Sequence, residues 1–212
     1  MKEYLDNIRK PENNLELSAK ITYSILILLL GIVLGIFSKW LDDLPIDDAV
    51  WWQHILGILD LRNVFSLPAI WFLIALSISI YSQSPSRAGI NAFLFFAGMC
   101  VSYHLYTIVF SGFNPQKYMM IWYGLTIVSP ILAFICWYGK GKTNASLIID
   151  IFILGVMMLS CFSIGMWYFN ITNPIDALIF IISIIILYNT PKHTILSLLG
   201  AAILAFAFRL FF

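Results

Sequence analysis

Seven long segments of this sequence carry almost no charged side chain, and this feature most limits what the chain can fold into. An α-helix needs about 20 mostly apolar residues to cross a hydrocarbon core roughly 30 Å thick. Charged residues make up 11% of the chain, whereas they make up about a quarter of a soluble protein. The sequence therefore predicts an all-α integral membrane protein, a single transmembrane domain over residues 1–212. The predicted spans are about 18–39, 66–82, 88–110, 118–138, 145–168, 174–189 and 193–212.

Turn residues separate these spans. Ser84 and Pro85, and later Asn114 and Pro115, are typical of connections between helices. The sixth span is short, and a tight hairpin joins it to the seventh. Six crossings are therefore the alternative to seven.

The positions of Lys and Arg indicate an orientation, because cytoplasmic loops carry an excess of both. A cytoplasmic N-terminus, with residues 1–17 as a tail, leaves only four cations on the other side, and seven spans then place the C-terminus outside. We expect a multi-pass protein of a bacterial plasma membrane. The cytoplasmic cations would be Lys2, Arg9, Lys10, Lys20, Arg87, Lys140, Lys142 and Lys192, and the outer ones Lys39, Arg62, Lys117 and Arg209.

The segment 46–59 lies between the first two spans and is predicted to be an interfacial amphipathic helix on the outer surface. Gln53 and His54, with Gly57 and Asp60, form a polar stripe at helical spacing. Adjacent tryptophans in this segment are typical of anchors at the level of the lipid headgroups.

Ionisable side chains inside a membrane are costly, so each one is a candidate for function. Asp150 falls within the fifth predicted span, and Asn91 of the third span is expected at a similar depth. Together they are a candidate site for a proton or a cation. The alternative is that Asp150 is an acid near a helix N-terminus, where the helix dipole stabilises it.

Aromatic and polar residues gather at the predicted outer ends of the helices. Such a set is typical of a small-molecule site with aromatic walls and a few convergent polar groups. The alternative is an aromatic belt that faces lipid, with Arg209 extending its charge to water. The predicted ligand-binding residues are His104, Trp122, Trp167, Asp176, Arg209 and Asp60.

Other features suggest a nucleophile and close helix packing. Cys100 and His104 are four residues apart and share a helix face, so an activated thiol is one interpretation and a histidine bonded to a neighbouring helix is the other. Pro130 predicts a kink in the fourth span. The small-residue pairs Gly31/Gly35 and Ala88/Ala92 allow close packing, either on a neighbouring helix or on a partner subunit.

These residues predict binding or transport of a small solute from the outer side, by this chain alone or as a subunit of a larger transporter. The alternatives are an intramembrane enzyme acting on lipid or peptide, and a non-catalytic partner such as an immunity or assembly factor. Expected partners are membrane lipid, a small-molecule ligand and membrane protein subunits. The net charge of +1 without a basic block gives no indication of nucleic-acid binding, so we expect no nucleic-acid partner. Motifs for cofactors and for metal sites are missing from the sequence, so we expect neither.

Overall fold

A computed structural model of the chain describes residues 2–12, 15–45, 49–165 and 168–211. Five of its helices are long and apolar enough to cross a membrane, which confirms the prediction of an all-α membrane protein. These five are α2, α6, α7, α8 and α10 in the order of the chain. The helices are α1 (Lys2–Ile8), α2 (Leu17–Asp43), α3 (Trp51–Ile58), α4 (Leu61–Ser66), α5 (Pro68–Tyr81), α6 (Pro85–Tyr106), α7 (Gln116–Trp137), α8 (Asn144–Cys161), α9 (Pro174–Leu187) and α10 (Pro191–Phe211).

Helices α5 and α9 are apolar but shorter, with 14 residues each. At 1.5 Å per residue each is roughly 21 Å long, less than the thickness of a hydrocarbon core. Helix α6 continues into a π-helical turn, Thr107–Ser111, and α7 continues into a 3₁₀ turn, Tyr138–Lys140. Helix α8 ends at Cys161, before the predicted limit at residue 168. The chain turns there into a short antiparallel hairpin, β1 (Ser163–Ile164) with β2 (Phe169–Asn170).

Proline and short polar side chains mark the starts of the apolar helices. Helices α5, α6, α9 and α10 each begin with proline, whose missing N–H costs little in a first turn. Ser84 Oγ accepts a hydrogen bond from the Arg87 N–H (3.3 Å), and Asn173 Oδ1 accepts one from the Ile175 N–H (2.8 Å). The turn signals in the sequence therefore placed these helix starts to within a few residues.

Close packing of α2 on α6 depends on two glycines of α2. A Cβ atom at Gly31 would collide with the backbone oxygen of Phe95, and one at Gly35 would collide with that of Met99. This pair therefore packs on a neighbouring helix of the same chain, one of the two alternatives that the sequence left open.

Helix α7 approaches the next face of α6 in a similar way. A Cβ atom at Gly89 would lie 2.9 Å from the backbone oxygen of Pro130. Ala88 and Ala92 are buried beside it. The second small-residue pair is thus also used inside the chain.

Helices α5, α8, α9 and α10 share a separate apolar core that includes Leu76, Leu154, Ile179 and Ala201. Helix α10 packs along α8, and α9 packs between α5 and α8. Helices α7 and α8 follow each other in sequence but touch mainly at the connection Tyr138–Lys140. Helix α5 also packs on α6 and α7, so it joins this core to the part of the bundle formed by α2, α6 and α7.

Helix α3 is the described helical part of the predicted interfacial segment, and residues 46–48 lie outside the described residues. None of its eight residues is buried, and this length is too short for a crossing. Trp52 stacks on Trp40 of α2 with 6.4 Å between ring centroids. Asp60 follows α3 with a φ of 49°, and α4 begins directly after it. A position along the membrane surface stays a prediction.

Candidate functional site

We name the two ends of the helix bundle after one residue at each end, chosen for its contacts there. At the Arg9 end, the Arg9 guanidinium donates to the backbone oxygens of Trp137 (2.7 Å) and Ile80 (3.0 Å). At the opposite Asp42 end, Asp42 accepts a hydrogen bond from the Tyr103 hydroxyl (2.9 Å). The Arg9 end is the one that the sequence predicts to be cytoplasmic.

A cavity of about 390 Å³ lies between the middle parts of α5, α6, α7 and α8, and we call it the lateral cavity. Its volume falls within the range of roughly 300–1,000 Å³ that is usual for small-molecule sites. It occupies the space where α7 and α8 do not touch. Its lining is almost entirely apolar and includes Phe72, Phe96, Leu132, Cys136, Phe152 and Met157.

Polar side chains in the wall of the lateral cavity are already bonded within their own helices. Ser79 Oγ donates to Ala75 O (2.6 Å). Ser129 Oγ donates to Thr126 O (2.8 Å), the carbonyl that Pro130 at i+4 cannot serve because it has no N–H. The wall therefore offers a ligand no unmatched hydrogen-bonding group and favours apolar contents.

The lateral cavity opens through the side of the bundle. Leu132 of α7 and Phe152 of α8 line it, yet they are 48% and 57% exposed. In a membrane these side chains would meet lipid tails. In a membrane the opening would therefore face the bilayer rather than water.

Asp150 follows Ile149, which lines the lateral cavity, but Asp150 is not itself part of the lining. It is 1% exposed, and neither carboxylate oxygen has a hydrogen-bond partner within the described residues. Asp150 Oδ2 is 3.6 Å from His193 Nδ1, and Ser146 Oγ is 3.4 Å from His193 Nε2. Lys140 does not pair with Asp150, since its ammonium donates to backbone oxygens at the end of α9. At 3.6 Å the carboxyl and the imidazole are close enough to form an ion pair when the imidazole is protonated, but they are not hydrogen-bonded.

The order Ser146, His193, Asp150 matches that of a hydrolytic triad, in which the imidazole lies between hydroxyl and carboxylate. Ser146, however, is fully buried. Its hydroxyl lies within donating distance of Gly141 O (2.8 Å) and Thr143 O (2.7 Å), and it accepts a hydrogen bond from the Thr143 N–H (3.2 Å). This serine caps α8 and is closed to a substrate in this conformation.

Asn91 does not contact Asp150, contrary to the expected pair. Asn91 Oδ1 accepts from Ser24 Oγ (2.8 Å), and Asn91 Nδ2 donates to Ser82 Oγ (3.3 Å). It faces α2 and α5, whereas Asp150 faces α10. Similar depth in the membrane did not place the two side chains on facing sides of their helices.

His104 and Trp122 of the predicted outer site occupy different surroundings. His104 bonds to the Tyr123 hydroxyl and to Asn114 Oδ1, both at 2.9 Å. Trp122 is buried beside a void of only about 10 Å³, which is at most room for one water molecule. Cys100 does not pair with His104 either, because its sulfur lies 3.3 Å from Thr126 Oγ1. The structure therefore supports the histidine bonded to a neighbouring helix.

The remaining residues of the predicted outer site are spread over the Asp42 end. Asp60 accepts from Asn63, and Asp176 is buried in the first turn of α9 with one oxygen lacking a described partner. Arg209 is exposed and pairs with neither acid, because α10 packs along α8 and not along α9. Trp167 lies outside the described residues.

Sequence reasoning missed His193, Ser146 and the polar cluster around the end of α2. There Asp43 pairs with Lys39 (2.7 Å) and accepts from Ser111 (2.5 Å). Spacing offered a signal in both places, since Lys39 and Asp43 are four apart, as are Ser146 and Asp150. A group of three His, Cys, Asp or Glu side chains able to hold a metal ion does not occur in the part of the chain described.

Comparison with known proteins gives no further assignment: no protein-family model, no curated protein and no solved structure matches this chain.

Proposed function

We propose that this membrane protein binds an apolar chain of a lipid, or a lipid-like molecule, that enters the lateral cavity from the bilayer. The observation that carries this proposal is the lateral cavity, which has a volume of about 390 Å³, an apolar wall and an opening between α7 and α8. The polar side chains in that wall are two serines that are already hydrogen-bonded. A hydrocarbon chain that enters the cavity therefore leaves no polar side chain of the wall without a hydrogen-bond partner. The exposed apolar side chains at the opening would make the wall of the cavity continuous with the protein surface that contacts lipid.

Seven crossings with a cytoplasmic N-terminus belong to the same proposal. Ile80, at the end of α5, bonds to Arg9, and Ile186, near the end of α9, bonds to Lys140. At the other end, Ser66 before α5 bonds to Asp42, and Asn173 before α9 bonds to Leu59 O. These contacts support both short helices connecting the two ends of the bundle. Reporter fusions after Lys142 and after Phe212 should then report opposite sides of the membrane.

Photocrosslinking tests the lateral cavity directly. A phospholipid with a diazirine in the middle of one acyl chain should label peptides from α7 and α8 around Cys136 and Phe152. Ala133 lines the cavity, so Ala133→Trp should fill it and remove most of this labelling. Ile203→Trp, at an exposed position on α10, is the matched control and should leave it unchanged. Uniform labelling of all lipid-exposed peptides in the unmodified protein would contradict the proposal.

The three native cysteines provide a second test. Cys136 lines the lateral cavity, whereas Cys100 and Cys161 are buried away from it. A small lipid-soluble organomercurial should therefore modify Cys136 first, and the bound lipid should slow this reaction. Faster reaction at Cys100 than at Cys136 would show that the cavity is closed.

Binding or transport of a small solute at the Asp42 end is a separate proposal. It requires that end to open, because the void beside Trp122 now has a volume of only about 10 Å³. Trp122→Ala should weaken binding of such a solute while the protein stays folded. Unchanged affinity would leave the lateral cavity as the remaining candidate.

An intramembrane enzyme acting on lipid is the second candidate, favoured by the order Ser146, His193, Asp150. It requires α8 to release its cap so that Ser146 can reach a substrate. A fluorophosphonate probe should then label Ser146, and His193→Ala should abolish the labelling. Equal labelling of the protein and of Ser146→Ala would reject this candidate without affecting the lateral cavity.

A further inference from the structure

A second cavity, of about 410 Å³, opens at the Arg9 end between α2, α5 and α6, and we call it the basic pocket. Ile78 and Ser82 of α5 line it, whereas Ala75 and Ser79 line the lateral cavity. The two cavities therefore lie on different faces of α5. Occupancy of one does not require occupancy of the other.

Lys20 and Arg87 bring two positive charges to the wall of the basic pocket. Arg87 Nη2 donates to Ser24 Oγ (2.6 Å) and to the backbone oxygen of Lys20. Ser24 continues this chain of hydrogen bonds to Asn91, and Asn91 continues it to Ser82. The guanidinium is thus held in place by one nitrogen. Its Nε and Nη1 have no protein acceptor, and it has no carboxylate partner, among residues 2–12, 15–45, 49–165 and 168–211.

Other groups around the basic pocket suit an anionic headgroup with polar substituents. Helices α2 and α6 both begin beside it, and the positive ends of their dipoles favour a negative charge. Gln83 lines it too, and its Oε1 is a buried acceptor without a described partner. Tyr23 and Tyr81 line the pocket and are 53% and 71% exposed, as tyrosines are at a membrane interface.

We propose that the basic pocket binds the phosphate-bearing headgroup of an anionic lipid from the leaflet at the Arg9 end. Arg87 would donate to the phosphate through its unused nitrogens, and Lys20 would add a second charge. Glu12 and Glu16, the acids in the preceding segment, are not among the residues lining the pocket. The headgroup would join α2, α5 and α6 where their own hydrogen-bonded chain already connects them.

Native mass spectrometry of the full chain in detergent micelles tests this proposal with two lipids that share their acyl chains. Dioleoylphosphatidylglycerol should be retained in preference to dioleoylphosphatidylcholine. Lys20→Gln and Arg87→Gln should each weaken phosphatidylglycerol binding roughly fivefold, the effect of about one cation near an anionic headgroup. Lys192→Gln removes an exposed cation at the same end, outside the pocket, and should change neither lipid. Because Arg87 also ties α2 to α6, Lys20→Gln carries the test if Arg87→Gln does not fold.

Glycerol phosphate in excess distinguishes a lipid from a soluble phosphate ester. It should displace phosphatidylglycerol only weakly, because it lacks acyl chains. Complete displacement at equal affinity would overturn the lipid as the source of the phosphate. Equal retention of the two lipids, or an equal loss in Lys192→Gln, would overturn the basic pocket itself. Crosslinking in the lateral cavity should be unchanged in Lys20→Gln, which separates a failure here from a failure of the proposed function.

Discussion

The two flanks of α7 differ in how closely the neighbouring helix approaches. Toward α6, the missing side chain of Gly89 brings the backbone of α6 against Pro130 O. Toward α8, large side chains such as Leu132 and Phe152 line a cavity of about 390 Å³. Without a hydrophobic force between helices in lipid, close packing of small residues is what holds them together. The flank where α7 and α8 approach each other less closely is the one that contains the lateral cavity.

The largest expected effect is at the tightly packed side of the bundle. Gly35→Leu would drive a side chain into the backbone of Met99, so it should lower the free energy of unfolding by about 3 kcal/mol, the upper part of the usual range for overpacking. Gly124→Leu is the matched control, because a Cβ atom there meets nothing within 4 Å. Unfolding by SDS titration in micelles, followed by circular dichroism, measures both. Similar losses for the two variants would contradict the role of Gly35.

A smaller effect is expected where the ends of α5 and α7 are tied together at the Arg9 end. Arg9 donates to Ile80 O and Trp137 O, and its guanidinium lies 4.1 Å from the centre of the Trp137 ring. Burial lowers the pKa of Arg9 below its ordinary value, and the nearby Glu12 partly opposes this; a guanidinium in a protein stays charged at neutral pH. Arg9→Ala should cost about 2 kcal/mol, the usual value for hydrogen bonds from a charged donor.

Lys10→Ala is the control for Arg9→Ala, since Lys10 is the adjacent cation and is exposed. Its unfolding free energy should stay within about 0.5 kcal/mol of the parent. A loss as large as that of Arg9→Ala would show that positive charge just after α1, rather than the contacts of Arg9, holds this end together.

The sequence predicts those features of the structure that depend on residues within one helix, and it does not predict those that depend on how two helices face each other. Apolar runs and prolines such as Pro85 and Pro174 act within one helix, so the apolar helices and where they begin were predictable. The facing of one helix toward another is not local. Asn91 and Asp150 have similar expected depths, yet one faces α2 and the other α10. The predicted pair therefore did not form.

The prediction of a ligand-binding site was limited in the same way, because a cavity depends on how several helices face one another. Aromatic residues at one end of the helices are visible in sequence, but whether they enclose space is not. Trp122 is buried with almost no void beside it. The space lies instead beside ordinary apolar residues such as Phe72 and Leu132, which carry no signal of their own. The cavity lies where four helices, α5, α6, α7 and α8, leave space between them, and this arrangement is not visible in any one of their sequences.

The smallest expected effect is a change in the free energy of unfolding when an alanine on either flank of α7 is replaced by leucine. Ala133 and Ala88 are both buried near α7, but only Ala133 lines the lateral cavity. Ala133→Leu fills empty space and should raise the free energy of unfolding by about 1 kcal/mol, as cavity-filling changes commonly do. Ala88→Leu has no such space and should lose stability by overpacking. Both free energies are measured by the SDS titration.

The diazirine lipid gives a second measurement on the same variants. Ala133→Leu should be labelled less by this lipid, because the added carbons occupy the place of the acyl chain. Destabilisation by both variants would show that the two flanks of α7 are equally packed, and the difference between them would then be no guide to a ligand.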